Sequence, residues 1–355
     1  MKKAFYILLI PLFLETLATF AQSPVPCEDL LRTSEQLYES GNYDLVISQL
    51  ENGLKTCNLS HADKERALVL MIRSQIEKDN PEQTDQLVYR LLTLSPNYSL
   101  PDPAKASTFN NALLKYNVRP LLSIGIRGGV NFPYAHIERI YSVLTSADYA
   151  RKYSSRPGVT AGIHVELEFY KNLSLCLDPA FTRISYNRNI TGEQNWNLKF
   201  TETMSSVEQS FALKYTYPVH SFRFGILSGY VFQSISKAQA DVDLKYTAYN
   251  AITETFDPYQ SAANKIDLKS VGLREKNFNS VMLGLTAGYK TGNTVFSLGV
   301  QYYYSKDNLV SSDHRYDSRE LLFDFYYIDN DFDINQLMFR AGIDYIFFHK
   351  IRKNS

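Results

Sequence analysis

The sequence predicts an eight-stranded antiparallel transmembrane β-barrel preceded by a small all-α helical-hairpin domain. Three observations carry that expectation. Apolar residues recur every three or four positions up to about residue 117 and every second position thereafter, the periods of a helix and of a strand respectively. The alternating segments reach about 10 to 13 residues, enough for a tilted strand to cross a bilayer. Their connections alternate between a few residues and roughly 20 to 45, the pattern of short turns on one side of a membrane and long loops on the other.

Composition narrows the function classes. The 37 basic and 37 acidic side chains of the 355-residue chain cancel, whereas a nucleic-acid binder needs a basic excess to neutralise phosphates. No nucleic-acid partner is therefore expected. The 26 Tyr and 21 Phe exceed what a soluble core requires, and aromatic girdles at a membrane interface would use them.

Residues 1–21 read as a signal peptide. Lys2 and Lys3 form the charged start, Ala4 to Leu14 the apolar run, and cleavage is expected after Ala21. A lipoprotein is rejected because Cys27 follows Pro26. Beyond this segment no apolar run approaches the ~20 residues of a spanning helix, so any crossing must be made by strands.

Residues 22–117 are expected to form the helical domain. Leu30, Leu31, Leu37 and Tyr38 mark a first helix, and Gly41 and Asn42 break it. Leu45, Val46, Leu50 and Leu54 mark a second; a third runs from about Ala62 to Lys78, and a fourth carries Leu87, Val88, Leu91 and Leu92. A short fifth runs from about Pro103 to Tyr116. Cys27 starts the first helix and Cys57 ends the second, so antiparallel packing brings them together and a structural disulfide is expected. Gly41-x-Tyr43-x-x-Val46 followed by Leu50 and Leu54 resembles the turn and second helix of a tetratricopeptide repeat, and the hairpin closing on Leu94 to Tyr98 is similar. Asp85 stands where that pattern has a small residue. The resemblance implies a concave protein-binding surface; a plain helical spacer is the other reading.

Residues 118–355 are expected to form the barrel. Its strands are read at Leu121–Phe132, Gly158–Tyr170 and Leu173–Tyr186, one ending at Tyr217, one over Phe222–Phe232, then Ser280–Tyr289, Phe296–Tyr304 and Gln336–Phe348. The polar face carries Arg127, His164, Glu166, Glu168, Asp178, Lys214, Arg223, Arg340 and Asp344, which a dry sandwich core could not hold unpaired. Eight strands leave room inside only for side chains, so these charges are expected to pair as a plug, with no catalytic set and no wide pore. Cys176 is expected to be buried. No metal ligands or cofactor are read; Asp329 to Asn335 has the alternating acids of a calcium loop, but Ile334 stands where its glycine should be. The stretch Leu321–Tyr327 is expected to extend the last hairpin.

Arg340-x-Gly342-x-x-Tyr345-x-Phe347 resembles the C-terminal assembly pattern of outer-membrane barrels. The layout as a whole is similar to the porin-like or PorT-type barrel proteins of the Bacteroidota. That resemblance implies a protein of the bacterial outer membrane. The even strand number is consistent with a helical domain in the periplasm, and the charge-paired interior leads to the expectation that the protein is not an enzyme. Its partners would be outer-membrane lipid, the barrel-assembly machinery and a periplasmic or outer-membrane protein. The leading expectation is an adaptor for envelope assembly, secretion or surface-complex organisation; the alternative is a surface receptor or adhesin acting through the long loops, chiefly Gln233 to Asn277.

Overall fold

The computed structural model describes residues 27–99, 107–142, 153–192 and 195–354; the expected signal segment lies outside them. The chain divides between Tyr116 and Asn117 into two compact units.

The first unit holds helices α1 (Leu30–Glu39), α2 (Tyr43–Thr56), α3 (His61–Glu77), α4 (Pro81–Leu94) and α5 (Ser107–Leu114). The fifth ends at Leu114, two residues before the expected Tyr116, and the start expected near Pro103 lies in 100–106, outside the described residues. Gly41 ends the first hairpin's turn at φ +78°, a left-handed conformation that costs glycine nothing. Ser60 caps α3 by accepting the Asp63 N–H, and Asn80 caps α4 with Pro81 in the first turn, satisfying amide groups that have no partner inside the helix. Val46, Leu50, Ala67, Met71, Ile72, Val88 and Leu91 are buried between the helices. Cys27 and Cys57 are joined in a disulfide with Cα atoms 5.7 Å apart.

The second unit is a ring of antiparallel strands. In chain order they are β1 (Tyr116–Arg139), β2 (Tyr153–Tyr170), β3 (Leu173–Thr191), β4 (Asn197–Val219), β5 (Phe222–Asn250), β6 (Thr255–Asp267), β7 (Asn277–Thr291), β8 (Thr294–Ser305) and β9 (Asp331–Lys353). Neighbours pair in the order β4-β3-β2-β1-β9-β8-β7-β5, and β4 pairs with β5, so eight strands close on themselves while β6 is added to β5 alone. Closure removes the exposed edges that an open sheet would carry. The β1–β9 seam is tight: a Cβ on Gly125 would lie 2.3 Å from the Ile343 carbonyl oxygen. Two-residue turns join β2 to β3, β4 to β5 and β7 to β8 at one end, with Asn172, His220 and Gly292 at positive φ, as such hairpin turns require. The chain enters β1 and leaves β9 at this same end, here called proximal.

Three expectations need correction. The strands span 12 to 29 residues, not 10 to 13, because β-structure continues past the apolar positions that delimited them in the sequence. Most of the supposed loop Gln233–Asn277 is the distal part of β5 and the added strand β6, and Leu321–Tyr327 contains a π-helical turn at Glu320–Asp324 instead of a hairpin. The polar residues alternating through 233–277 hid its strand character.

Along the long strands the polarity of the two faces inverts. The outer face of β4 reads Lys199, Thr201 and Thr203 distally, then Phe211, Leu213, Tyr215 and Tyr217 proximally; its inner face reads Leu198, Phe200 and Met204, then Ser206, Glu208, Ser210 and Lys214. β3 does the same, with Asn187 and Asn189 outside distally but Leu175, Leu177 and Phe181 proximally. β3 and β4 pair without a register shift from Leu173↔Tyr215 to Thr191↔Asn197, so the inversion is written in the side chains and not produced by a bulge. The distal interior is accordingly an apolar core built from Ile184, Tyr186, Leu198, Phe200, Ile235, Val242, Leu244, Phe278, Phe332 and Ile334. Leu309, Leu321, Phe325 and Tyr327, from the connection between β8 and β9, complete it.

Candidate functional site

The proximal interior assembles from inward positions around the whole ring. Arg127 of β1 lies 3.6 Å from Asp178 of β3 and 3.8 Å from Asp344 of β9. A Cβ on Gly342 would approach the Arg127 Cγ to 2.8 Å, so this glycine makes room for the stem of that side chain. His164 stands between two carboxylates, its Nδ1 2.5 Å from Asp178 and its Nε2 3.4 Å from Glu166. Lys214 donates to Glu166 at 2.8 Å.

One turn of the barrel further, Glu208 is fully buried and accepts from Arg340 at 2.6 Å, Tyr303 at 2.8 Å, Thr182 at 2.9 Å and Gln233 at 3.2 Å. Four donors, one of them a guanidinium, compensate a charge that could not otherwise leave water. Beside these groups Leu227, Val231, Met282 and Met338 form an apolar strip with Cys176.

Seven of the nine expected interior charges are thus drawn together. Glu168 and Arg223 are not in the paired network. Glu168 lines a proximal pocket with Arg119, Lys171, Lys350 and Arg352, and Arg223 lines a small cavity with Glu166 and Lys214. Both sit at the last proximal rungs of their strands, where solvent reaches in. Of the C-terminal pattern, Tyr345 and Phe347 face outward with rings 5.0 Å apart, while Arg340 faces inward. Glu208, Tyr303 and Gln233 escaped the sequence reading, although Glu208 shares the face of Lys214 six residues on.

A second polar cluster lies inside the distal apolar core. Arg274 donates to Glu202 through Nε at 2.7 Å and Nη2 at 2.5 Å, and to Asp329 at 2.8 Å. Tyr186 donates to Glu202, and Tyr327 donates to Asp329 at 2.6 Å. Burial holds the Glu202 carboxyl above its usual range, with Arg274 opposing and Asp329 adding to the rise; one guanidinium serves two buried carboxylates. Burial also raises the Tyr186 and Tyr327 hydroxyls well above theirs. The acids of the calcium-like stretch are occupied by side chains of the protein. Asp329 takes Arg274, Asp331 pairs with Arg315 and accepts from Asn308, and Asp333 lies 3.2 Å from His136 Nδ1. Arg274 and Arg315 lie in connections without periodicity and left no signal in the sequence.

The distal hairpin of β5 and β6 presents a different chemistry. Its tip exposes Tyr249, Phe256 and Ile252, the last with 94% of its surface in solvent. Along its side Tyr246 sits 5.1 Å from Trp196 and 4.7 Å from Tyr259, and Trp196 sits 5.6 Å from Tyr326. These four rings come from three separate segments.

No protein-family model matches the sequence, and no curated protein does. Among solved structures, the chain is similar to Neisserial surface protein A at 13% identity, over 65% of this chain and 99% of that one, with a TM-score of 0.29. It is similar to the outer membrane protein OprG from Pseudomonas aeruginosa at 11%, over 64% and 96%, with a TM-score of 0.37. To the attachment invasion locus protein Ail of Yersinia pestis the values are 10%, 63% and 99%, with a TM-score of 0.23. At this level of similarity neither identity nor activity carries across.

Proposed function

We propose that this chain is a non-enzymatic bacterial outer-membrane protein that binds a partner at the cell surface through the distal β5–β6 hairpin. The observation that carries the reading is the hairpin's exposed aromatic and apolar tip, Tyr249, Ile252 and Phe256, which stands beyond the apolar belt of the proximal strands. Apolar groups held in water beyond the membrane belt cost free energy unless something covers them, and contiguous exposed patches mark interaction sites. Partly exposed rings packed edge to face or tilted offer large contact area with little side-chain entropy to lose. The free edge of β6 adds backbone donors and acceptors to which an extended segment can pair.

The orientation follows from connectivity. Short turns, the entry to β1 and the end of β9 share the proximal end, which in outer-membrane barrels faces the periplasm. The helical unit then belongs to the periplasm and the hairpin to the outside. The interior network, filled by paired charges, argues for a wall and against a conduit.

A second reading is favoured by the disulfide-clamped helices, whose exposed Leu45 and Tyr89 offer an adaptor surface in the periplasm. Crosslinking with mass spectrometry in intact cells separates the two. The surface reading expects crosslinks at the hairpin that vanish when residues 247–258 are deleted while the barrel still folds. Crosslinks confined to residues 27–116, unchanged by that deletion, would replace it with the adaptor.

A further inference from the structure

We propose that the proximal interior binds a divalent cation of the zinc class through His164, Glu166 and Cys176. The three side chains offer one nitrogen, one carboxylate oxygen and one sulfur, all within 4.8 Å of one another. Strand geometry puts them there. His164 and Glu166 are two apart on β2 and so share a face, and Cys176 of β3 is the direct cross-strand partner of Glu166. His164 and Cys176 are buried and Glu166 nearly so.

The surroundings are those of a ligand set. His164 Nδ1 lies 2.5 Å from Asp178, which occupies that nitrogen and leaves Nε2, 3.4 Å from Glu166, as the one to offer to a cation. A carboxylate holding the far nitrogen of a ligating histidine fixes its tautomer and raises its basicity. Asp178 is itself held by the Ser210 hydroxyl at 3.3 Å and by Arg127 at 3.6 Å. Mixed nitrogen, oxygen and thiolate donors suit zinc and discriminate against magnesium and calcium, which take oxygen ligands. Three protein ligands leave a fourth tetrahedral position.

Lys214 is the group that opposes a cation, since its Nζ lies 2.8 Å from Glu166 Oε2. A carboxylate has two oxygens and about four lone-pair positions, so ammonium and metal can share it. The charges also balance. The cation's two charges with Lys214 and Arg127 are met by the Cys176 thiolate, Glu166, Asp178 and Asp344.

The test uses the full chain folded in detergent micelles, titrated with Co²⁺ and then Zn²⁺. The proposal expects one cation per chain, a near-ultraviolet sulfur-to-cobalt charge-transfer band, and its loss on adding Zn²⁺. Cys176→Ser should abolish the band, and Asp178→Asn should weaken zinc binding by ~10- to 100-fold. Cys176 is the one cysteine outside the disulfide, so in the unaltered protein zinc should also slow its alkylation, a readout that needs no variant to fold. Less than stoichiometric metal, a cobalt complex without the band, or alkylation indifferent to zinc would overturn the proposal and leave His164 a buried ion-pair member only.

Discussion

At the scale of single residues, buried charge decides more than buried apolar area. Glu208 has no exposure and depends on Arg340 for its compensating charge. Arg340→Ala should therefore destabilise the folded barrel by about 3–5 kcal/mol, because removing one partner strands the other. Replacing both, as Glu208→Gln with Arg340→Met, should recover most of that loss; urea unfolding in micelles measures both variants. Glu202 makes the opposite kind of statement. Its carboxyl is held above the ordinary 4.5 by burial, so the folded chain binds that proton more tightly than the unfolded chain. The stability this supplies is complete below about pH 4.5 and is lost as pH rises through the raised value. In Glu202→Gln the fall in unfolding midpoint between about pH 4.5 and 8 should be shallower than in the parent. An equal or steeper fall would mean that Glu202 is ionised throughout.

At the scale of elements, the first hairpin and the long strands are stabilised in different ways. The disulfide closes a loop of sequence separation 30, which restricts the unfolded chain and is worth about 3–4 kcal/mol in the chain-entropy account. Cys57→Ser should lower the melting of the helical unit, followed as protease sensitivity of residues 27–116, without changing the barrel's unfolding. On the strands, the face and the height of a residue fix its environment. Leu285→Arg, in the proximal outer belt, should cost about 2–4 kcal/mol in a bilayer. Asn189→Arg, on the distal outer face, should cost less than about 0.5 kcal/mol. Equal costs at the two sites would remove the distinction between the belts. Period two made the proximal strands legible because an apolar exterior alternates there with a polar interior. The same period continues distally, but with Lys199, Thr201 and Thr203 outside it no longer reads as a membrane strand, and β6 was missed for the same reason. The site was legible to the same extent: Arg127, His164, Asp178 and Arg340 stand on an alternating face, whereas Arg274 and Arg315 lie in aperiodic connections that only tertiary packing brings to the core.

At the scale of the whole barrel unit, one set of strands builds two environments. Proximally an apolar exterior surrounds a charge-paired interior; distally a polar exterior surrounds an apolar core. The first arrangement is stable in lipid and the second in water, so the boundary between them fixes how deep the ring sits. This is the central claim, and it is tested by placing a spin label at successive outward positions of β4, from Lys199 through Thr203 and Val207 to Phe211 and Tyr215, in the protein reconstituted into liposomes. Power saturation with oxygen and with a water-soluble nickel complex reads the depth of each site. The account predicts oxygen-dominated relaxation at Phe211, a crossover near Val207 and nickel-dominated relaxation at Thr203 and Lys199. Nickel access at Phe211 equal to that at Lys199 would show that the proximal belt is not in the bilayer, and the account would fail.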